Sequence, residues 1–134
     1  MGRGGPFGQR RAGSDLRRLL FADVNLCELH DCFSIASLLA AESMGFFDYG
    51  KSGEAWVKGE AAIGGKVAIN ASGGLKSKGH PIGATGAGQV YEIVKQMRGE
   101  VEKERLVEGA KIGMTDTLGG DGGTLVNMIF QRGW

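Results

Sequence analysis

The segment between residues 67 and 97 constrains the fold most, because its glycine-rich loop joins an apolar run to a helical pattern. Val67–Ile69 is short, apolar and typical of a buried strand. The apolar residues that recur three and four positions apart further on are Val90, Ile93, Val94 and Met97. We therefore expect a helix over Ala84–Met97, and a strand, loop and helix in succession indicate an α/β unit.

The glycine-rich loop carries His80, which we expect at the start of this helix with Pro81 near the first turn. The positive end of a helix dipole disfavours a charged imidazole. A neutral histidine can take a proton or donate a hydrogen bond to an oxyanion. The residues alone leave a second interpretation open, in which His80 only caps a tightly packed helix.

A second corner of the same kind lies upstream, where the predicted strand Val24–Leu29 leads through His30 to a helix that ends at Met44 and Gly45. The residues that we assign to the apolar face of this helix are Ile35, Leu38 and Leu39. Cys32 would occupy the first helical turn, where a thiol is more prone to ionise. A buried, inert thiol and a packing histidine are the alternatives. If the two strands are parallel neighbours, Cys32 and His80 face one ligand at their carboxyl ends.

Residues 46–65 are expected to form a loop and residues 98–108 a solvated charged stretch. The last predicted strands are Lys111–Thr115 and Thr124–Phe130. The order β-α-β-α-β-β predicts an α/β fold, a mixed sheet with helices packed on it. Residues 1–20 are rich in glycine and arginine, which indicates a disordered or non-native arm or, alternatively, a short nucleic-acid tail. Residues 21–134 would form the domain.

Composition excludes several classes of protein. The net charge of +1 gives no reason to expect nucleic acid or a membrane surface as a partner. No apolar run approaches the roughly 20 residues that span a bilayer, and no signal peptide is evident, so we expect a cytoplasmic protein. The two cysteines do not form a disulfide framework, and no metal site is expected. Gly45–Ser52 fits the phosphate-binding P-loop pattern by spelling, but no strand precedes it, so we reject ATP binding.

Two motifs resemble those of one enzyme family. Gly79–Gly86 resembles the Gly-His-Pro motif of thiolases, with their Asn-x-x-Gly-Gly loop in front of it. Glu28–Ser34 resembles the His-Asp-Cys-Phe motif of thiolases of the sterol-carrier-protein type. The resemblance extends from about Asp23 to Gln131, and the two motifs stand in the family's order.

The resemblance implies a partial thiolase-like half-domain and an acyltransferase that resembles acetyl-CoA acetyltransferase, acting in Claisen condensation or thiolytic cleavage of a 3-ketoacyl-CoA. It implies that His80 activates the acylated cysteine, that His30 lies beside it in an oxyanion hole, and that Cys32 is the acid/base thiol. The residues implied in substrate binding are Asn70, Ser72, Gly73 and Gly79. Coenzyme A thioester would be the substrate, with no other cofactor.

The chain departs from the family pattern in three ways. The family's acylated cysteine belongs to an N-terminal half that this sequence lacks, and Cys27, on a strand facing the core, is not expected to replace it. Residues 118–123 contain no cysteine, which leaves Cys32 as the acid/base candidate. The family's central strand is also missing. We therefore expect a homo-oligomer or a complex with a chain that carries the N-terminal half. Alternatives are a non-catalytic fragment or oligomerising subunit and a thiolase-like retro-aldolase subunit.

Overall fold

The computed structural model describes residues 21–133, so the prediction for the arm at residues 1–20 lies outside the described residues. The strands are β1 (Leu26–Glu28), β2 (Ala68–Ile69), β3 (Ile112–Gly119) and β4 (Thr124–Gln131). They form one sheet in the order β2-β1-β3-β4. β1 pairs in parallel with β2 and with β3, whereas β3 and β4 pair antiparallel. This mixed sheet confirms the predicted α/β class.

The helices are α1 (Ser34–Ser43), α2 (Ser52–Val57), α3 (Gly74–Lys78) and α4 (Thr85–Arg98), and a short 3₁₀ helix covers Lys103–Arg105. The prediction for α4 was correct to within one residue at each end. The loop predicted over residues 46–65 is wrong, because α2 lies within it, and the glycine-rich loop contains α3. These helices have six and five residues, too few to show an apolar period.

Two apolar clusters cover the two faces of the sheet. Neighbouring residues of a strand point to opposite faces, so Cys27 joins one cluster and Leu26 the other. Leu26 packs in a cluster with Ile93 and Met97 of α4. A Cβ at Gly113 of β3 would lie 2.7 Å from Cγ2 of Ile93, so glycine allows the helix to approach the sheet this closely.

The predicted apolar face of α1 is wrong for two of its three residues. Ile35 is 60% exposed and Leu39 55% exposed. The buried residues of this helix are Ser37, Ala41 and Glu42. The Glu42 carboxylate accepts hydrogen bonds from α2, and this contact turns the polar side of α1 inward. Among the described residues, no helix is both long and apolar enough to cross a membrane.

Candidate active site

The two predicted strand-to-helix corners meet at one edge of the sheet. β1 and β2 are parallel neighbours, as expected, with Cys27 opposite Ile69. His30 follows β1 and His80 lies in the loop between α3 and α4. Their rings contact edge to face, with centroids 4.8 Å apart and planes at 88°. Two imidazoles from distant parts of the sequence therefore form one pair.

Thr85 fixes the orientation of the His80 ring. Its hydroxyl oxygen lies 2.7 Å from Nδ1 of His80 and donates its proton to the carbonyl of Pro81, 3.1 Å away. Since that proton is already used, Nδ1 donates to the hydroxyl, and a neutral ring then keeps its lone pair on Nε2. α4 begins only at Thr85, so the expectation that His80 starts this helix is wrong. The helix dipole therefore acts on His80 less than the sequence suggested.

His30 is the buried member of the pair. It is 5% exposed, and its Nδ1 has no hydrogen-bond partner among the described residues. Burial lowers the pKa of His30 most, the neighbouring His80 lowers it further, and the Asp116 and Asp31 carboxylates oppose both effects. With its pKa below the ordinary value of 6.5, His30 is mainly neutral at pH 7 and can donate a hydrogen bond without carrying a charge.

The two cysteines occupy different environments. Cys32 is half-buried and precedes Phe33, the N-cap of α1, so the expectation that it occupies the first helical turn is wrong. Cys27 is 1% exposed in the core. Burial first, and then the Asp116 and Glu28 carboxylates, raise the pKa of Cys27 well above its ordinary value. An inert core thiol, as expected for Cys27, follows from this burial.

Side-chain hydrogen bonds join the two corners. The Oδ1 atom of Asn70 accepts from the backbone N–H of Leu29 at 2.6 Å. The backbone N–H of Leu75 in turn donates to Oδ1 of Asp31 at 2.7 Å. The relative position of the two histidine loops is therefore fixed by contacts between the loops themselves.

The residues predicted to bind substrate all lie in or beside this junction. The Ser72 hydroxyl donates to Oε2 of the buried Glu28 at 2.5 Å. The side-chain oxygens of Asn70 and Ser72 thus bind the protein itself. Gly73 and Gly79 adopt φ values of 95° and 90°, which favour glycine, at the two ends of α3. A role in substrate binding stays a prediction for all four residues.

The sequence reasoning missed three residues beneath or beside the pair: Thr85, Gln89 and Asp116. Gln89 is 1% exposed, and its amide nitrogen donates to the backbone carbonyls of Glu28 and Asp116. A signal for Gln89 was present, because it stands four residues before the buried Ile93 on the same helical face. No local pattern in the sequence identified Asp116 or Thr85.

The P-loop spelling has a different explanation in the structure. The Glu42 carboxylate accepts from the backbone N–H of Ser52 at 3.1 Å and from its hydroxyl at 2.5 Å. These donors lower the pKa of Glu42, the Ser52 hydroxyl most of all. A protein carboxylate therefore binds the N–H group that a P-loop would turn toward phosphate. Within residues 21–133, no cluster of three histidine, cysteine or acidic residues could hold a metal ion.

Comparison with known proteins identifies the family. Residues 12–132 match the model of the family described as "Thiolase C-terminal domain-like", so the match includes part of the predicted arm. Over 117 residues, or 87% of the chain, it is 50% identical to the acetyl-CoA acetyltransferase of Methanothermobacter thermautotrophicus. It is 47% identical to rabbit (Oryctolagus cuniculus) sterol carrier protein 2 over 84% of its length. It is 42% identical to the benzoylsuccinyl-CoA thiolase subunit BbsB of Thauera aromatica over 73% of its length.

The matched segment is a limited part of each relative. It spans 30% of the acetyltransferase, 20% of the rabbit protein and 26% of the thiolase subunit. The family model nevertheless covers nearly the whole chain. The resemblance suggested by the two motifs is thereby confirmed, and the chain belongs to the thiolase family, in the part that corresponds to the C-terminal domain.

Proposed function

We propose that this chain carries the acid/base part of a thiolase-type site that acts on acyl-CoA thioesters. The reaction would be Claisen condensation or thiolytic cleavage of a 3-ketoacyl-CoA. The observation that supports this most is the edge contact of His30 with His80 at the sheet edge, two residues from Cys32. The names of two relatives, an acetyl-CoA acetyltransferase and a benzoylsuccinyl-CoA thiolase subunit, support a coenzyme A thioester as substrate.

In the proposed cleavage, His80 takes the proton of a nucleophilic cysteine supplied by another polypeptide or segment. The thiolate attacks the keto carbon, the bond between the α- and β-carbons breaks, and its electron pair forms the enolate of acetyl-CoA. Cys32 gives its thiol proton to the α-carbon. Coenzyme A then returns a proton to Cys32 and attacks the acyl-cysteine, which releases the shortened thioester, and His80 returns its proton to the cysteine.

The histidine pair would supply two different functions in these steps. His30, neutral and buried, suits a donor to the enolate oxygen, because a donor in a water-poor site stabilises developing charge strongly. His80, with its lone pair on Nε2, suits a proton acceptor. Cys32 is half-buried and therefore accessible to a bound thioester.

A second candidate is a thiolase-like retro-aldolase subunit, which would use the histidines without an acylated cysteine. The burial of Cys27 favours it, because Cys32 is then the one accessible cysteine among the described residues. The name of the Thauera relative, a subunit, is compatible with a role in a larger complex. A homo-oligomer, or a complex with a chain that carries the nucleophile, is part of both proposals.

The test combines this chain with the separately produced N-terminal part of the Methanothermobacter relative. Acetoacetyl-CoA and coenzyme A are added, thioester absorbance is followed, and intact mass reports any acyl adduct. We expect cleavage only in the mixture, with the adduct on the added segment. An adduct on Cys32 of the chain alone would contradict the proposed division of the site.

The role of Cys32 needs its own variant. Cys32→Ala should abolish deuterium exchange at the α-carbon of acetyl-CoA while coenzyme A binding is retained. His80→Ala should lose cleavage activity, whereas Lys51→Ala, in the rejected phosphate-binding pattern, should not. Normal exchange in Cys32→Ala would remove this thiol from the mechanism.

A further inference from the structure

The glycine-rich loop reaches His80 directly after α3, and only Gly79 separates the end of this helix from the histidine. Gly79 has φ 90° and ψ 169°, a conformation that is populated almost entirely by glycine. Because glycine is conformationally permissive, Gly79 by itself does not fix the direction in which the chain leaves α3. The position of the His80 backbone therefore depends on how the end of α3 is held.

Lys78, the last residue of α3, carries an ammonium group that lies between two carboxylates. Its Nζ atom is 3.4 Å from Oε2 of Glu28 on β1 and 3.9 Å from Oε1 of Glu92 on α4. The side chain of Glu28 is 2% exposed and that of Glu92 is 13% exposed, so salt screens these pairs less than it would pairs at the surface. Lys78 thus joins the end of α3 to the strand that leads to His30 and to the helix that follows His80.

Both carboxylates are held in place by further donors. The Glu28 carboxylate accepts from the backbone N–H of Ser72 at 3.2 Å and from its hydroxyl at 2.5 Å. Oε2 of Glu92 lies 3.3 Å from Nη1 of Arg105. Neither carboxylate depends on Lys78 alone for its orientation, so the two together form a fixed site for the ammonium group.

We propose that Lys78 is a positioning residue for His80, which fixes the end of α3 and thereby places the imidazole of His80 against that of His30. The inference rests on the proposed function, in which His80 is the proton acceptor. Thr85 holds the ring from the other side, through the 2.7 Å contact with Nδ1 of His80. The ammonium group is engaged by the two carboxylates, so Lys78 acts on the proposed chemistry through the backbone of His80.

A purely structural role for Lys78 makes a different prediction. If Lys78 only stabilised the fold, its replacement would lower the free energy of unfolding, but the two rings would stay in contact in every molecule that remains folded. A positioning role predicts that the rings separate while the chain is folded. The contact between the rings therefore distinguishes the two roles.

The experiment measures the nuclear Overhauser cross-peak between the two imidazole rings. The chain contains only two histidines, and ring centroids 4.8 Å apart bring their protons within range of this effect. His80→Ala assigns the two sets of signals. Lys78→Met keeps an unbranched side chain but removes the charge, and we expect the cross-peak to weaken severalfold. Lys78→Arg restores the charge and should restore the cross-peak.

Lys76 supplies a matched control on the same helix. Its Nζ atom donates to the hydroxyl of Ser34 at 2.5 Å, in an exposed contact that water can replace. Lys76→Met removes the same charge from α3 as Lys78→Met does, but it leaves the pairs with Glu28 and Glu92 intact. The cross-peak between the rings should be unchanged in Lys76→Met.

Turnover in the mixture with the N-terminal part of the Methanothermobacter relative gives a second readout. Misplacement of a reacting group by about 1 Å can cost 100-fold in rate, so kcat in Lys78→Met should fall by roughly 10–100-fold. KM should change little, because the proposed role concerns proton transfer and not thioester binding. Lys78→Arg should recover most of the loss, and Lys76→Met should show none.

An unchanged cross-peak in folded Lys78→Met would overturn the inference. The same result in Lys76→Met and Lys78→Met would also overturn it, because the effect would then belong to charge on α3 in general. If Lys78→Met does not fold, Lys78→Gln, which keeps a neutral donor for Glu28, takes its place with the same expectations.

The inference and the proposed function fail in different ways. A cross-peak that weakens in Lys78→Met, together with no cleavage by the unsubstituted chain in the mixture, would leave the positioning role standing and remove the proposed function. Cleavage with the same kcat in Lys78→Met and in the unsubstituted chain would support the proposed function and overturn the positioning role.

Discussion

Gln89 ties α4 to the two strands beneath the histidine pair. Its Nε2 donates to the carbonyl of Glu28 at 3.2 Å and to that of Asp116 at 2.8 Å, and its Oε1 accepts from the hydroxyl of Thr117 at 2.5 Å. Gln89→Met keeps an unbranched side chain of similar length but removes all three bonds. Both buried carbonyls then lose their amide donor.

The magnitude follows from burial. Each amide–carbonyl hydrogen bond contributes about 0.5–1.5 kcal/mol net, so the two bonds to the carbonyls of Glu28 and Asp116 predict a loss of about 2 kcal/mol in the free energy of unfolding of Gln89→Met. The Thr117 hydroxyl adds little, because it is only partly buried and can bind water.

Gln96 supplies a matched control on the same helix. Its amide bonds to the carbonyl of Arg105 at 2.7 Å and to the N–H of Val107 at 3.0 Å, and both contacts are only partly buried. Water can replace them, so Gln96→Met should cost about 1 kcal/mol. Urea unfolding followed by circular dichroism and by tryptophan fluorescence gives both values, and coincident curves justify a two-state fit. An equal or larger loss in Gln96→Met would refute the reasoning about burial.

Three further outcomes are expected. Gly74→Ala should lower the free energy of unfolding, measured in urea, more than Gly45→Ala does. Both glycines have a positive φ, and a side chain in that conformation costs about 1–2 kcal/mol. Only at Gly74 would a Cβ also collide with neighbouring side chains. Under native conditions a maleimide should modify Cys32 and spare Cys27, because Cys27 is buried and its pKa is raised; peptide mass mapping would show the reverse order if this is wrong. Burial raises the pKa of Glu28 above its ordinary value of 4.5, so the fold favours the protonated carboxyl. The contribution of this carboxyl to the free energy of unfolding is complete below pH 4.5 and is lost as the pH rises through the pKa in the folded state. The stability of Glu28→Gln relative to the unsubstituted chain should therefore rise with pH above 4.5 in paired urea titrations, and a fall would reverse the assigned sign.

The sequence was most informative where local pattern and tertiary structure agree. The apolar period of α4 and the strand-loop-helix corners at His30 and His80 predicted the α/β fold and the meeting of the two corners at one edge of the sheet. The resemblance of the two motifs to those of thiolases indicated the family, which the comparisons confirm. Each of these features depends on periodicity or on a contiguous motif, and both can be read along the chain.

The features that escaped prediction depend on long-range contacts. Asp116 lies at the same end of the sheet as His30 only because β3 pairs with β1, and no local pattern in the sequence indicates that pairing. Cys32 was expected in the first turn of α1, but this helix begins two residues later, at Ser34. The effect of a helix dipole is confined to the first turn. The short helix α3 was not predicted, because it begins with a glycine and is flanked by two others, and glycine has a low helix propensity.

Apolar side chains of α1 that were predicted to be buried are exposed beside the site. Ile35 and Leu39 are exposed, and Phe33, adjacent to Cys32, is 71% exposed. Fully burying one such side chain contributes about 1.5–3 kcal/mol, so covering all three would contribute several kcal/mol to an association. Exposed apolar side chains that stand together beside a site are typical of a binding surface. Ile35 and Leu39 thus present an apolar surface to the outside of this chain, and such a surface agrees with the proposal that another polypeptide, carrying the nucleophilic cysteine, completes the site beside Cys32.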